Sequence, residues 1–174
     1  MSEGMPDAEM MAKWTAACTP SEAHEKLKPL VGTWEVTRRM WCGVPEGGTA
    51  PESKGRAEAR MILSGRWLEE RQTGEFMGQP YESICYTGYD NARKRYVGSY
   101  IDNMVTSLFT ISGGMEDNVW TAFGTIDEPM TGEYGKLIRY VSRIIDNDHH
   151  TFDIFDASRE KERRVQELIY RRIK

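Results

Sequence analysis

The sequence predicts an all-β protein: a closed, antiparallel, up-and-down barrel of about ten strands, preceded by one or two short helices. The tripeptide Gly32-Thr33-Trp34 marks the change from helix-like to strand-like sequence, and a glycine followed by a large aromatic residue can close one end of a small barrel. From Thr33 onward, apolar and polar residues alternate, as in strands with one buried face. Short turn sequences interrupt this alternation without an intervening helical segment. Consecutive strands are therefore expected to pair as hairpins, and closing the sheet would remove its two exposed edges.

The N-terminal residues predict two short helices. Asp7 can cap a first helix that extends to Ala17, with one apolar stripe formed by Met10, Met11 and Trp14. A second helix is expected to begin at Ser21 and to end near Pro29.

The predicted strands follow from the period-two pattern, which is clearest at Ala57, Ala59, Met61 and Leu63. After the strand that begins at Thr33 and the one that contains these residues, the expected strands are 67–76, 81–89, 96–102, 105–112, 119–126, 136–145, 151–156 and 164–172. The long connection from Cys42 to Lys54 is rich in glycine and proline, and it is the predicted lid or mouth loop. We expect residues 1–30 to form a helical segment that packs on the barrel, and residues 31–174 to form the barrel domain.

Composition limits the function classes. The chain has 27 acidic and 23 basic side chains and a net charge of −4, which disfavours binding to nucleic acid. Cys18, Cys42 and Cys85 are widely spaced and form no Cys-x-x-Cys pair, as expected in a reducing compartment. No secretory signal or membrane-length apolar run is present, so we expect a cytoplasmic protein without membrane contact. Strand edges near the long loop leave a homodimer open.

Several segments together carry a family resemblance: 24–27, 30–34, 62–70, 74–80, 88–91, 100–104 and 127–132. The chain resembles the calycin group of lipocalin-like barrels, in which Gly-x-Trp opens the first strand and a late basic residue covers the tryptophan. More specifically, it resembles the uncharacterised domain-of-unknown-function family numbered 1579. The resemblance implies barrel closure by Gly32, Trp34 and Arg172 and implies no catalytic residue.

Motifs for catalysis or cofactors are absent: the sequence has no Gly-x-Ser-x-Gly elbow, no phosphate loop and no dinucleotide fingerprint. His24 is expected to cap or flank a helix, with a proton donor at the barrel rim as the alternative. His149 and His150 lie in a predicted hairpin and are not expected to bind a metal ion together, since adjacent strand residues point to opposite faces. The related barrels of nitrobindins bind haem through a late histidine that the final strand here lacks. No cofactor is therefore expected; the alternative is haem ligation by His149 or His150, which could reach a pocket if their hairpin folds inward.

Charged residues within predicted strands are the best candidates for a ligand site, because a buried charge is costly unless it is paired or used. Arg139 and Arg143 share a face with apolar residues, which predicts two arginines in the lumen that bind an acid group. Glu70 and Glu167 are expected to pair with them across the cavity. The alternative is a solvent-facing ladder of opposite charges. Other predicted ligand-binding residues are Gln72, Trp41, Tyr100 and Met104.

These observations favour a non-enzymatic carrier or sensor that holds a small, largely apolar ligand, with a carboxylate on the ligand as the partner of the lumen arginines. A first alternative is a small enzyme in which Glu70 acts as acid or base, with His24 or an arginine as electrophile. A second is a structural or oligomerising domain whose side chains fill the lumen.

Overall fold

The computed structural model describes residues 7–45, 47–129 and 131–173, which form a closed antiparallel barrel of ten strands behind a short helical lead-in. The lead-in consists of α1 (Ala8–Cys18), α2 (Glu22–Glu25) and one 3₁₀ turn (Lys28–Leu30). The strands are β1 (Gly32–Met40), β2 (Glu52–Ile62), β3 (Trp67–Phe76), β4 (Gln79–Asp90), β5 (Arg95–Asp102), β6 (Phe109–Glu116), β7 (Val119–Glu128), β8 (Glu133–Ile144), β9 (His149–Asp156) and β10 (Arg163–Arg172). The predicted fold class is confirmed.

Each strand pairs with its neighbours in chain order, and β1 closes the sheet by pairing with β10 on one side and β2 on the other. Trp34 lies opposite Arg172 in the closing pair. Because every strand of the described residues has two neighbours, none of them offers a free edge for the homodimer that the sequence left open.

Several strand boundaries differ from the predicted ones, and the starts of β2 and β6 have identifiable local causes. β2 begins at Glu52, inside the predicted mouth loop, because its polar residues pair with β1 on the outer face, where Arg39 Nε donates to Glu52 at 2.7 Å. β6 begins at Phe109 instead of Val105, because the Asp102 carboxylate accepts hydrogen bonds from the backbone N–H groups of Met104 and Val105 at 2.9 and 3.1 Å and holds a turn. Glu46 of the mouth loop and Met130 of a predicted turn lie outside the described residues.

The closed end of the barrel is formed around Trp34, which is 1% exposed and donates from Nε1 to the Leu30 carbonyl at 3.0 Å. The Arg172 guanidinium lies 4.0 Å from the Trp34 ring centroid and donates to the carbonyls of Val31 at 2.7 Å and Pro29 at 2.8 Å. Gly32 has φ +144°, and a Cβ there would approach Arg172 Nη1 to 2.1 Å. A side chain at this position would therefore displace the arginine that covers the indole.

The helical lead-in contacts the barrel unevenly. Leu27 is fully buried in the core cluster that contains Tyr96, Trp120 and Tyr140. In contrast, α1 has no buried residue, and its predicted apolar stripe is exposed. This helix is attached at its C-terminal end, where Arg66 donates to the Cys18 carbonyl at 2.7 Å.

Candidate ligand site in the barrel lumen

A chain of polar side chains crosses the interior of the barrel between β1, β3 and β10. Arg38 donates from Nη2 to the Gln72 amide oxygen, and Gln72 Nε2 donates to the Tyr170 hydroxyl at 3.1 Å. The Tyr170 hydroxyl in turn donates to Glu70 Oε1 at 3.2 Å. Strand alternation positions all four side chains, since Arg38 follows the buried Trp34 and Val36 on the same face of β1, and Glu70 and Gln72 share a face of β3. The donors and acceptors run in one direction, from a cation to a carboxyl group.

Arg38 is the most unusual member of this chain. It is 6% exposed, and its guanidinium carbon lies 4.0 Å from the Tyr81 ring centroid and 5.4 Å from that of Phe76. Its Nε and Nη1 atoms are buried without a hydrogen-bond partner. Because a guanidinium stays protonated in proteins, the lumen contains a cation with two unused donors.

Glu70 lies at the other end of the chain, opposite Ala59 of β2 and Cys85 of β4. Burial raises the pKa of this carboxyl to about 7, and the hydrogen bond from Tyr170 offsets part of the rise. Burial also raises the pKa of the Cys85 thiol, and the charge of Glu70 adds to this effect. Glu70 and Cys85 point inward, and each residue keeps some accessible surface.

Aromatic side chains form the opposite wall. Tyr100 and Phe109 stack with ring centroids 4.5 Å apart and planes inclined by 13°, and Tyr140 packs against Phe152 at 5.9 Å. Burial raises the pKa of Tyr140 to about 12 and that of Tyr100 above its usual range. Both phenols therefore stay neutral near pH 7. The lumen thus combines one polar wall with one aromatic wall.

His150 points into the barrel beside Trp34 and Tyr170. Its ring stacks on Tyr170 with centroids 3.9 Å apart and meets the Trp34 ring edge-on at 4.5 Å. Both ring nitrogens are buried without a hydrogen-bond partner. Burial, assisted by the charge of Arg172, lowers the pKa of this histidine to about 3, so it is neutral in the folded protein near pH 7.

The predicted facing of Arg139 and Arg143 is wrong. The lumen face of β8 carries Ile138, Tyr140 and Ser142, and the two arginines lie on the outer face. Arg139 donates to Glu162 at 2.7 and 2.5 Å, and Arg143 donates to Asp153. The predicted pairing of these arginines with Glu70 and Glu167 does not occur, and the alternative of an outer-face charge ladder describes what is seen.

The remaining predicted site residues divide between lumen and surface. Glu70, Gln72 and Tyr100 line the lumen, whereas Glu167 lies on the outer face, where it accepts hydrogen bonds from Arg39 at 3.1 Å and Arg164 at 2.9 Å. Trp41 lies at the barrel mouth, the end opposite Trp34, beneath the guanidinium of Arg164 at 4.5 Å, and Met104 is exposed at the same end.

His24 lies outside the lumen. It is buried at the junction of α2 and the barrel, and its Nδ1 accepts a hydrogen bond from the Ser21 backbone N–H at 3.0 Å. This is a helix-capping role. The adjacent surface pocket, with a volume of about 270 Å³, is lined by Ala17, Cys18, Thr19, His24, Arg66, Trp67, Tyr89 and Asn91.

Sequence reasoning missed Arg38, although a signal was present. Trp34 was already assigned to the interior, and Arg38 is four residues further along the same strand, so strict alternation places it on the same face. For β8 it is much harder to predict which face points into the lumen, because both faces carry apolar residues.

Fold and lumen together define the class of protein: a closed ten-stranded antiparallel barrel with a polar chain and an aromatic wall inside. The family model for proteins of unknown function DUF1579 matches residues 19–172, and the chain belongs to this family. Among solved structures, it is similar to Rv2717c from M. tuberculosis, with a TM-score of 0.58 and 13% sequence identity over 90% of this chain and 100% of that chain. At this identity the likeness shows the fold alone. No curated protein matches the sequence.

Two negative findings apply to the described residues, 7–45, 47–129 and 131–173. Their histidine, cysteine, aspartate and glutamate side chains form no group of three or more that could hold a metal ion. None of their helices combines the length and apolarity needed to cross a membrane.

Proposed function

We propose that this protein is a non-enzymatic binding protein, a carrier or sensor, that holds a small, largely apolar ligand in the barrel lumen with an acid group of the ligand on Arg38. The observation that supports this proposal is the buried Arg38 guanidinium with two donors unused. An unpaired buried charge costs several kcal/mol, and a ligand anion would offset that cost. The anion-binding role predicted for Arg139 and Arg143 is thereby assigned to Arg38.

The surroundings of Arg38 suit such a ligand. The Tyr81 and Phe76 rings pack against the guanidinium, and Gln72 occupies Nη2, so Nε and Nη1 remain for the anion. Tyr100 and Phe109 supply apolar surface on the facing wall for the rest of the molecule. A lumen of this kind can hold one small ligand.

Isothermal titration calorimetry with benzoate and octanoate tests the proposal, because these two acids present the same carboxylate on a planar and on a flexible apolar body. We expect Arg38→Met to lower the affinity about thirtyfold or more, as for the loss of one partner of a buried charge pair. Arg39→Met is the matched control, because the next residue on β1 lies on the outer face and pairs with Glu52 and Glu167. Unchanged affinity in Arg38→Met, or no binding of either acid to the native protein, would contradict the proposal.

The enzyme alternative rests on Glu70, because a carboxyl group with a pKa near 7 is suited to proton transfer. Arg38 is separated from Glu70 by Gln72 and Tyr170, so the cation and the carboxyl group do not converge on one reacting atom. Native mass spectrometry of the purified protein would identify any retained ligand, and conversion of that ligand on incubation would favour the enzyme.

A further inference from the structure

The lumen contains a second charged group besides Arg38, and the two are linked. Arg38 and Glu70 are the ends of the hydrogen-bonded chain through Gln72 and Tyr170. The Cys85 thiol, like the Tyr170 hydroxyl, is influenced by both charges: Glu70 raises its pKa and Arg38 lowers it, in addition to the dominant effect of burial. The guanidinium and the carboxyl group therefore act on the same thiol and the same hydroxyl, while the pKa of Glu70 itself is set by burial and by the hydrogen bond from Tyr170.

Charge balance in this environment changes when an anion enters. Without a ligand, an ionised Glu70 is one of two negative charges that oppose Arg38 in the lumen; the other is Asp102, whose charge contributes to the raised pKa of Cys85 and Tyr81. An anion placed on Nε and Nη1 of Arg38 neutralises the guanidinium directly, so an ionised Glu70 would be an additional negative charge in a poorly solvated space. Protonation of the carboxyl group removes this repulsion.

We propose that the lumen takes up one proton from solvent together with the ligand anion, with Arg38 binding the anion and Glu70 receiving the proton on a carboxylate oxygen. This inference rests on the function proposed above and specifies the ligand as a weak organic acid that is bound as its anion plus one proton. No covalent bond forms or breaks, and the Tyr170 hydroxyl can rotate its hydrogen away when Glu70 becomes a donor.

The other titratable groups that face Glu70 are unsuited to this role. Burial raises the pKa of Cys85 on β4, Tyr100 on β5 and Tyr170 on β10, so all three stay protonated near neutral pH. On β2 the residue opposite Glu70 is alanine. Asp102 on β5 points toward the mouth and accepts hydrogen bonds from two backbone N–H groups of the following turn.

Calorimetry at about pH 7.5 in Hepes and in Tris measures the proton count, because the observed enthalpy then changes with the ionisation enthalpy of the buffer. Benzoate and octanoate are suitable probes, since both are fully ionised there and any proton taken up goes to the protein. If the anion raises the pKa of Glu70 from about 7 by about one to two units, we expect uptake of about half a proton or more and an affinity that falls about four- to twelvefold from about pH 7 to pH 8.5.

Variants assign the proton to its group. Glu70→Gln should bind the same acids with no proton uptake and no pH dependence, because glutamine keeps the acceptor for Tyr170. Two control variants should show the same proton uptake and pH dependence as the native protein: Glu69→Gln and Asp102→Asn. Glu69 lies one residue away on the outer face, where it pairs with Arg60 and Arg71. Binding without proton uptake, or uptake that persists in Glu70→Gln, would overturn the coupling and leave the binding function standing. Absence of binding to the native protein would overturn both.

Discussion

Glu70 makes a specific prediction about stability and pH. Its pKa is 4.5 in an exposed chain and about 7 in the folded protein, so between these values the folded state holds a proton that the unfolded state has released. The contribution of Glu70 to the free energy of unfolding therefore falls as the pH rises through this window and levels off above about pH 7. A difference of about 2.5 units corresponds to about 3 kcal/mol. Glu70→Gln removes this contribution.

The measurement is urea denaturation of the native protein and Glu70→Gln at intervals from about pH 4 to pH 8, followed by tryptophan fluorescence. The quantity of interest is the difference between the two free energies of unfolding, because all other titrating groups cancel in it. We expect this difference to change by about 3 kcal/mol over the range, because the native protein becomes less stable relative to Glu70→Gln as the pH rises. Glu69→Gln tests the opposite sign, since arginine hydrogen bonds lower the pKa of that outer-face carboxyl. A change of less than about 1 kcal/mol for Glu70→Gln would show that the lumen solvates its ionised carboxylate well.

Two further predictions concern the closed end and the thiols. Arg172→Ala should lower the free energy of unfolding by about 3 kcal/mol, since it removes the cover of Trp34 and the hydrogen bonds to Pro29 and Val31. The control Arg171→Ala, on the exposed face, should change this free energy little. Equal effects of the two substitutions would contradict the role of Arg172 in closing the barrel. In the native protein, a thiol reagent should modify the exposed Cys18 and Cys42 and spare Cys85 until unfolding. Rapid labelling of all three thiols, detected by mass spectrometry, would contradict the placement of Cys85 on the lumen face of β4.

The architecture could be predicted from the sequence because its signals are local and mutually consistent. Alternation in β2, turn residues between strands and the Gly32-Thr33-Trp34 tripeptide each predict the same barrel. The start of β2 was predicted too late because a polar segment resembles a loop: residues 52–54 show no apolar alternation, yet they pair with β1 and Glu52 accepts a hydrogen bond from Arg39 on the outer face. Polarity alone does not distinguish a solvated strand from a connection.

Facing in β8 could not be predicted because both faces of that strand are apolar in part. Val141 is buried on the same side as Arg139 and Arg143, while Ile138 and Tyr140 are buried on the lumen side. The register with β7, which sets Ala122 opposite Tyr140, decides the matter, and register is a tertiary property. On β1 the buried Trp34 identifies the strand face that points into the lumen, so the orientation of Arg38 could have been predicted from the sequence.

Glu70 and His150 together make the last prediction, because their burial acts on the pKa in opposite directions. The pKa of His150 falls from 6.5 to about 3 on folding, so the unfolded state binds the extra proton and stability rises with pH between these values. Between about pH 4.5 and 6.5 each state then holds one proton on this pair: Glu70 carries it in the folded protein and His150 in the unfolded one. The two contributions cancel, so this pair should leave the native protein insensitive to pH there.

Single substitutions should reveal the pH dependence that each residue contributes to the free energy of unfolding. The free energy of unfolding of Glu70→Gln should rise by about 2 kcal/mol between about pH 4.5 and 6.5, since only the histidine contribution remains. That of His150→Phe, which keeps the stacking on Tyr170, should fall by a similar amount. The double variant should again be insensitive to pH. The prediction would be contradicted if the free energy of unfolding had the same pH dependence in the native protein and in both single variants. Neither group would then be desolvated by the barrel, and the polar chain between Arg38 and Glu70 would lie in a water-filled lumen.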